Sequence, residues 1–414
     1  MQLNYTTNVS QEQTVTRLAK KPLSINISTQ NDLVLRGSEN GVKTPLDNMT
    51  KKASPYETII KRYSLQSHSR VLLPNERVAK CLRLRLAKDL PIEVHKAIMF
   101  KSAFYANLQV CGSVWCCPIC ASKITERRRV ELQLGIEKWQ GKILLLTLTL
   151  QHSCNDSLQD TVTALLKGYS KDLTSGKFWD SLKGEFNIVG TIRTLEVTWG
   201  LNGFHPHLHV LLFLDCNVYN FDRLQQRLYE KWDKALHKLG RYTNKKAFNL
   251  QQSTKAIADY VTKWGSGYDI ESQWTIAHEM TKNPVKVAKN GGLTPFALLE
   301  SSMLGNELHG LLFQEYFKYF KGKQQLRYSK DLKKLLGLVD KTDEEICNEK
   351  IEQSYLFMVL SREQWKLILG NDIRAELLQQ VANGDIEDVV TYLSQFGIEW
   401  DIEQFGYTPC DNEN

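Results

Sequence analysis

The sequence predicts an α+β fold: a sheet with one polar face, packed on helices, with a small cysteine-rich segment ahead of it and a helical region behind it. Three observations carry this. The segments Leu146-Thr147-Leu148-Thr149-Leu150-Gln151, Thr194-Leu195-Glu196-Val197-Thr198 and His205-Pro206-His207-Leu208-His209-Val210 alternate polar and apolar residues with period two, as half-buried strands do. Between them lie stretches of helical period, such as Phe221, Leu224, Leu228 and Trp232. Cys111, Cys116, Cys117 and Cys120 fall within ten residues, which marks a small unit built around ligands rather than an apolar core.

Taken in order, residues 1–75 are rich in Ser, Thr, Asn, Gln and Lys with little periodicity and read as a flexible polar arm. Residues 76–138 hold the cysteines and a basic segment, Lys123-Ile124-Thr125-Glu126-Arg127-Arg128-Arg129, which opens a helix running to Trp139. A strand is expected over 142–151, a helix over 157–182 and a strand within 186–199. Leu201-Asn202-Gly203 is a turn signal leading into the histidine strand and its apolar run, Val210-Leu211-Leu212-Phe213-Leu214. A long amphipathic helix covers 219–239 and a short strand 246–250. A helix follows over 253–264, with Ser253 or Thr254 as N-cap and Gly265 near its end. Residues 265–305 read as a long functional loop, and 306–414 as mostly helical. Residues 139–305 thus form the central domain. No internal repeat is evident.

The length of 414 residues gives room for a substantial core and two or three domains. The longest apolar runs, such as Ile143-Leu144-Leu145-Leu146, are far too short to span a bilayer, and the start, Met1-Gln2-Leu3-Asn4-Tyr5, has neither a basic nor an apolar leader region. A cytoplasmic protein without membrane contact is the expectation. In that compartment an odd number of cysteines, nine, favours metal over disulfides. The net charge of +7 is uneven: residues 331–414 are strongly acidic and the rest is basic, which suits a polyanionic partner.

The chemistry-bearing residues follow from the strand period. His205, His207 and His209 share one face, while Leu208, Val210 and Leu212 share the other. If the strands pair, Glu196 joins the histidines on a common polar face. His207, His209 and Glu196 then offer three mixed N/O ligands with open positions, a set that suits Mg²⁺ or Mn²⁺ when a substrate brings phosphate oxygens. Tyr260 and Lys263 stand at i and i+3 of the following helix, so an ammonium can stabilise a phenolate or a phosphate. Cys117-Pro118-Ile119-Cys120 is a Cys-x₂-Cys knuckle with Cys111 six residues before it. Structural Zn²⁺ needs a fourth ligand, for which Cys81 is the first choice and Cys116 the alternative. Arg127, Arg128 and Arg129 either contact phosphate of a polyanionic partner or line a solvated helix face.

These motifs, in this order, resemble the HUH-type endonucleases, specifically the rolling-circle replication initiators of small bacterial plasmids. The Leu-Thr-Leu-Thr segment at 146–149 is similar to the family's first motif, Gly203-Phe204-His205-Pro206-His207-Leu208-His209-Val210 to its second, and Ala258-Asp259-Tyr260-Val261-Thr262-Lys263 to its third. The cysteine cluster resembles the segment ahead of the first motif in many members, as does Gly322-Lys323-Gln324-Gln325-Leu326-Arg327-Tyr328-Ser329 less specifically. The likeness covers about residues 80–335.

The resemblance implies a central antiparallel sheet flanked by helices and a metal held by His207, His209 and Glu196. Tyr260 would attack the scissile phosphate, keep the 5′-phosphate as an ester and release a 3′-OH primer, with later strand transfer ending the round. Lys263 would orient the phosphate, and His205 would contact DNA or support the ligands. The implied partners are plasmid origin DNA, double-stranded and as exposed single strand, host helicase and polymerase, and as a further option a second copy of the chain. One departure stands out: relatives that carry a water-activating glutamate one turn before the tyrosine have its counterpart here at Ala256, and Tyr268 does not match the two-tyrosine spacing. A related transposase and a non-catalytic, zinc-containing origin-binding protein are the alternatives.

Overall fold

The computed structural model describes residues 55–99, 101–215, 220–251, 292–349, 353–400 and 404–406. From Pro55 onward they belong to one compact unit. Helix α1, Pro55–Leu72, lies inside the stretch read from composition as a polar arm. Its inward side is itself polar, which is why no apolar periodicity announced it. Thr58, Gln66 and Ser69 are buried beside Leu65. Gln66 Nε2 donates to the Cys81 carbonyl at 3.0 Å, and Ser69 Oγ to the Cys116 carbonyl at 2.7 Å. The helix is thereby stitched to the cysteine-rich segment by hydrogen bonds that satisfy its buried polar groups.

Strands β1 (Ile92–Ala97) and β2 (Ala103–Ala106) form a hairpin ahead of helix α2, Pro118–Lys138. Pro118 stands in the first turn of α2, where its missing N–H costs nothing, and the Cys117 side chain caps the helix by accepting from the Cys120 N–H. Strand β3, Lys142–Leu148, ends three residues earlier than the alternation suggested. The single helix expected over 157–182 is interrupted. Helix α3 (Leu158–Lys167) passes into a π-helical turn, Gly168–Leu173, and helix α4 covers Gly176–Phe186. The turn lets the Trp232 indole close on Gly168, where a Cβ would meet the ring at 3.0 Å.

Strands β4 (Ile188–Gly200) and β5 (Gly203–Leu214) are joined by the two-residue turn Leu201-Asn202, with Gly203 at φ +79°. Helix α5, Phe221–His237, buries Leu224, Leu228 and Trp232 as its period dictates, and β6 covers Phe248–Gln251. Two features correct the reading of the second half. Within the expected 265–305 loop, Pro295–Met303 is helix α6, capped by Thr294, and α7 follows at Glu307–Phe320. The C-terminal region also contributes strands: β7, Leu326–Tyr328, and β8, Ser354–Leu360, with short helices α8 (Leu332–Leu335) and α9 (Asp343–Asn348) between them. β8 reads Ser-Tyr-Leu-Phe-Met-Val-Leu, a run whose period cannot separate strand from buried helix. Its partner β1 lies more than 250 residues upstream. Helices α10 (Arg362–Gly370), α11 (Arg374–Asn383) and α12 (Ile386–Ser394) follow β8.

The strands form two antiparallel sheets, β2-β1-β8 and β6-β3-β5-β4-β7. One face of the larger sheet carries Leu146, Leu148, Leu195, Leu208, Val210 and Leu212 into the main core with Leu165, Leu228 and Trp232 from α3 and α5. The other face is divided along its length. At one end Leu145, Ile192, Leu211 and Phe213 pack under Leu132 of α2 and Leu332 and Leu336 at α8. Towards the other end the same face turns polar, and there the candidate site lies. No helix among the described residues is long and apolar enough to cross a membrane.

Candidate metal centres

Register brings the predicted residues together. His209 stands opposite Thr147 on one side and Thr194 on the other; His207 is opposite Glu196, and His205 opposite Thr198. Glu196 Oε2 is 3.1 Å from His207 Nε2 and 3.8 Å from His209 Nε2. The three groups each offer a ligand atom, all within 4.8 Å of one another. Atoms about 2.1 Å from one ion stand about 3.0–3.4 Å apart in octahedral or tetrahedral geometry, so the set fits a single divalent cation with little adjustment. Thr147 Oγ1 lies 3.0 Å from His209 Nδ1. A ring bound through Nε2 donates its Nδ1–H to such a partner, which fixes both tautomer and orientation.

His205 is outside this group of three. Its Nδ1 lies 2.6 Å from Nε2 of His152, whose own Nδ1 is 3.0 Å from the Asn202 carbonyl. A carbonyl can only accept, so with both rings neutral His152 donates from Nδ1 and accepts from His205 Nδ1–H, leaving His205 Nε2 with its lone pair. Burial, and then the neighbouring His207 and His152, push the His205 pKa down to about 4. His152 was missed from the sequence because it sits just past the end of β3, out of phase with the alternation that picked out Thr147 and Thr149.

The second cluster is fully buried. The sulfurs of Cys81, Cys111, Cys117 and Cys120 lie within 4.8 Å of one another. Cys81 Sγ is 3.5 Å from Cys120 Sγ and 3.8 Å from Cys117 Sγ, and Cys111 Sγ is 3.6 Å from Cys120 Sγ. Four thiolates at ~2.3 Å around a tetrahedral ion stand about 3.8 Å apart, so this donor set matches zinc and is far too open for disulfides. Of the two candidates for the fourth position, Cys81 is in the cluster. Cys116 turns away to Ser113 Oγ at 3.2 Å, and burial raises its pKa to about 12. Hydrogen bonding, first from Cys111, holds the Cys120 thiol well below its ordinary pKa. Cys347 is buried at its edge, 3.9 Å from the Cys120 carbonyl.

The arginine segment is different. Arg129 is buried and bonds Glu126 at 2.7 Å and Gln133 at 2.8 Å. Arg128 bonds Glu131 at 2.9 Å, Asp343 at 3.2 Å and the Lys341 carbonyl at 2.6 Å, tying α2 to the start of α9. Both are internal ion-pair partners, which corrects their reading as phosphate contacts: on a helix Glu126 and Glu131 lie three residues from them and reach them first. Arg127 is the most open of the three, with Glu131 at 3.7 Å. Tyr260, Lys263, Ala256 and Tyr268 lie outside the described residues.

Fold and sites together define an α+β protein with a mixed His/Glu cluster on the polar part of a sheet face and a buried four-cysteine cluster. The chain belongs to the replication-protein family, whose model ("Replication protein") matches residues 103–358. It is similar to a "Protein rep" of Streptomyces lividans, 23% identical over 300 residues, covering 56% of this chain and 64% of that protein. A second similarity, 28% identical over 129 residues, is to a "Protein rep" of Lentilactobacillus hilgardii, covering 29% of this chain and 39% of the relative. A third, 27% over 140 residues, is to a "Neomycin resistance protein" of Streptomyces cyanogenus, covering 27% and 32%. The chain thus spans under two thirds of the length of these relatives. No solved structure matches it.

Proposed function

We propose that this protein is a rolling-circle plasmid replication initiator with an HUH-type nuclease fold, which nicks one strand of its origin. The observation that carries the reading is the convergence of Glu196, His207 and His209 on one sheet face in a chain of the replication family. These three residues would hold Mg²⁺ or Mn²⁺, and the cation would supply Lewis-acid polarisation of a phosphate oxygen. Thr147 keeps the His209 ring in its ligating orientation. Tyr260 is the nucleophile: its phenolic oxygen bonds to phosphorus, the bond to the 3′-oxygen breaks, and the strand is left with a free 3′-OH and a 5′-phosphotyrosyl end. Lys263, one turn on, neutralises charge on the phenolate or the phosphate. Cys81, Cys111, Cys117 and Cys120 would hold Zn²⁺ as a structural ion.

The test is nicking of a supercoiled plasmid carrying the cognate origin. Conversion to the open circle in Mg²⁺ or Mn²⁺, lost in EDTA and in His207→Ala, supports the reading. Nicking that persists in His207→Ala overturns the metal assignment. Binding of the origin without any nick leaves the non-catalytic alternative.

A further inference from the structure

Residues 234–258 contain no Asp or Glu, yet hold Lys234, Lys238, Arg241, Lys245, Lys246 and Lys255. The part of this stretch between α5 and β6 is fixed at the edge of the larger sheet, against the chain that follows β3. The Thr149 N–H donates to the Ala247 carbonyl at 2.9 Å, and the Gln151 N–H to the Tyr242 carbonyl at 2.9 Å. The Trp232 indole N–H of α5 donates to the Thr149 carbonyl at 3.1 Å, holding the chain just past β3 against that helix. These bonds prolong the β3–β6 pairing beyond the end of β3. Since Thr147 stands opposite His209 on one side and Asn249 on the other, the loop runs level with His207 and His205. Two strand spacings separate it from the histidine row, about 10 Å.

Two cations of the stretch serve the fold: Lys238 pairs with Asp172 at 3.0 Å, and Arg241 with Asp156. Lys245 and Lys246 are exposed. Between the two sets lies Tyr242, 59% exposed, its ring braced edge-on by His237 at 5.1 Å. On the same edge Asn249 is exposed and Gln251 partly so, continuing the polar face outward. An exposed aromatic beside lysines that pair with no acidic side chain among the described residues is the combination that holds an unpaired strand, by stacking on a base and neutralising phosphates. A duplex offers no free base face to such a ring.

We propose that Tyr242, Lys245 and Lys246 form a subsite for single-stranded DNA flanking the position that is cut. Tyr242 stacks on one base, and the two lysines contact phosphates. The inference rests on the proposed function only in taking a DNA strand to pass over the histidine face.

The probe is a fluorescein-labelled oligothymidine, with a duplex of equal length for comparison, bound to the full chain carrying Tyr260→Phe and followed by anisotropy across a salt series. Tyr242→Ala is expected to weaken single-strand binding on the order of tenfold and Tyr242→Trp to preserve it, with duplex binding altered less than about twofold. Lys245→Ala with Lys246→Ala is expected to make the log–log salt slope shallower by about 1.4, or 0.7 per phosphate. Unchanged single-strand affinity in Tyr242→Ala, an equal loss for duplex, or an unchanged slope in the lysine variant overturns the subsite. Nicking by the Tyr260-intact chain separates this from the nuclease reading. Tyr242-dependent binding by a chain that never nicks leaves the subsite standing and sinks the nuclease. Nicking with Tyr242-independent binding does the reverse.

Discussion

Thr147→Val keeps the branched shape of the side chain and removes the hydroxyl 3.0 Å from His209 Nδ1. Two consequences separate cleanly. The fold loses one hydrogen bond worth about 0.5–1.5 kcal/mol, partly offset by the better strand propensity of valine, so the unfolding midpoint moves little. The proposed metal centre would lose a partner that orients the His209 ring, and outer partners of this kind are worth about 10- to 100-fold in metal affinity. At 1.4 kcal/mol per decade this is roughly 1.4–2.8 kcal/mol, larger than the effect on folding. Mn²⁺ titration of the zinc-loaded protein by electron paramagnetic resonance reads the affinity, and urea unfolding reads the stability. A Thr147→Val variant that binds Mn²⁺ as tightly as the parent would show that Thr147 does not orient a ligand; a loss of affinity matched by an equal loss of stability would make its role merely structural.

The purified chain should contain one zinc by elemental analysis, lost in Cys81→Ser and kept in Cys116→Ser, because only Cys81 lies within ligand distance of the other three sulfurs. Stripping that zinc with a chelator should release the hydrogen-bonded contact of α1 with the cysteine segment, seen as new hydrogen exchange in residues 58–72. Arg129→Ala should lower stability by about 1–3 kcal/mol while leaving the salt dependence of DNA binding unaltered, since the guanidinium is buried on Glu126 and Gln133; a shallower salt slope would return it to the DNA surface. Arg374→Leu should destabilise the chain by roughly 3 kcal/mol in urea, because fully buried Arg374 donates to Gln66 and the Leu82 carbonyl, which the leucine leaves without that donor.

The clustering of Glu196, His207 and His209 was legible because a strand's period of two is rigid. Once His207 and His209 were placed on one face, Glu196 needed only the β4–β5 hairpin to come opposite them, and Leu201-Asn202-Gly203 announced that hairpin. The cysteine cluster was legible in its local part. Its fourth member could be narrowed only to two residues, because Cys81 arrives from 30 residues upstream through contacts that no local pattern encodes. What escaped the sequence was held by long-range polar bonds. Helix α1 buries Gln66 and Ser69, not an apolar stripe, and the β1–β8 pairing joins segments at opposite ends of the chain. His152 lies where the alternation has already stopped. The arginines misled for the complementary reason: composition registers a run of charge, while the structure shows that acidic residues one turn away on the same helix already occupy two of them.

The proposed nicking chemistry is covalent, with Tyr260 acting beside the Glu196, His207 and His209 face. Its most direct test is to incubate the chain with a single-stranded origin oligonucleotide in Mn²⁺, digest it, and locate the modified peptide by mass spectrometry. A 5′-phosphonucleotide is expected on the peptide containing Tyr260, absent in Tyr260→Phe and in Glu196→Ala. Cleavage with no adduct, or an adduct on Tyr268 in the unaltered chain, would contradict it.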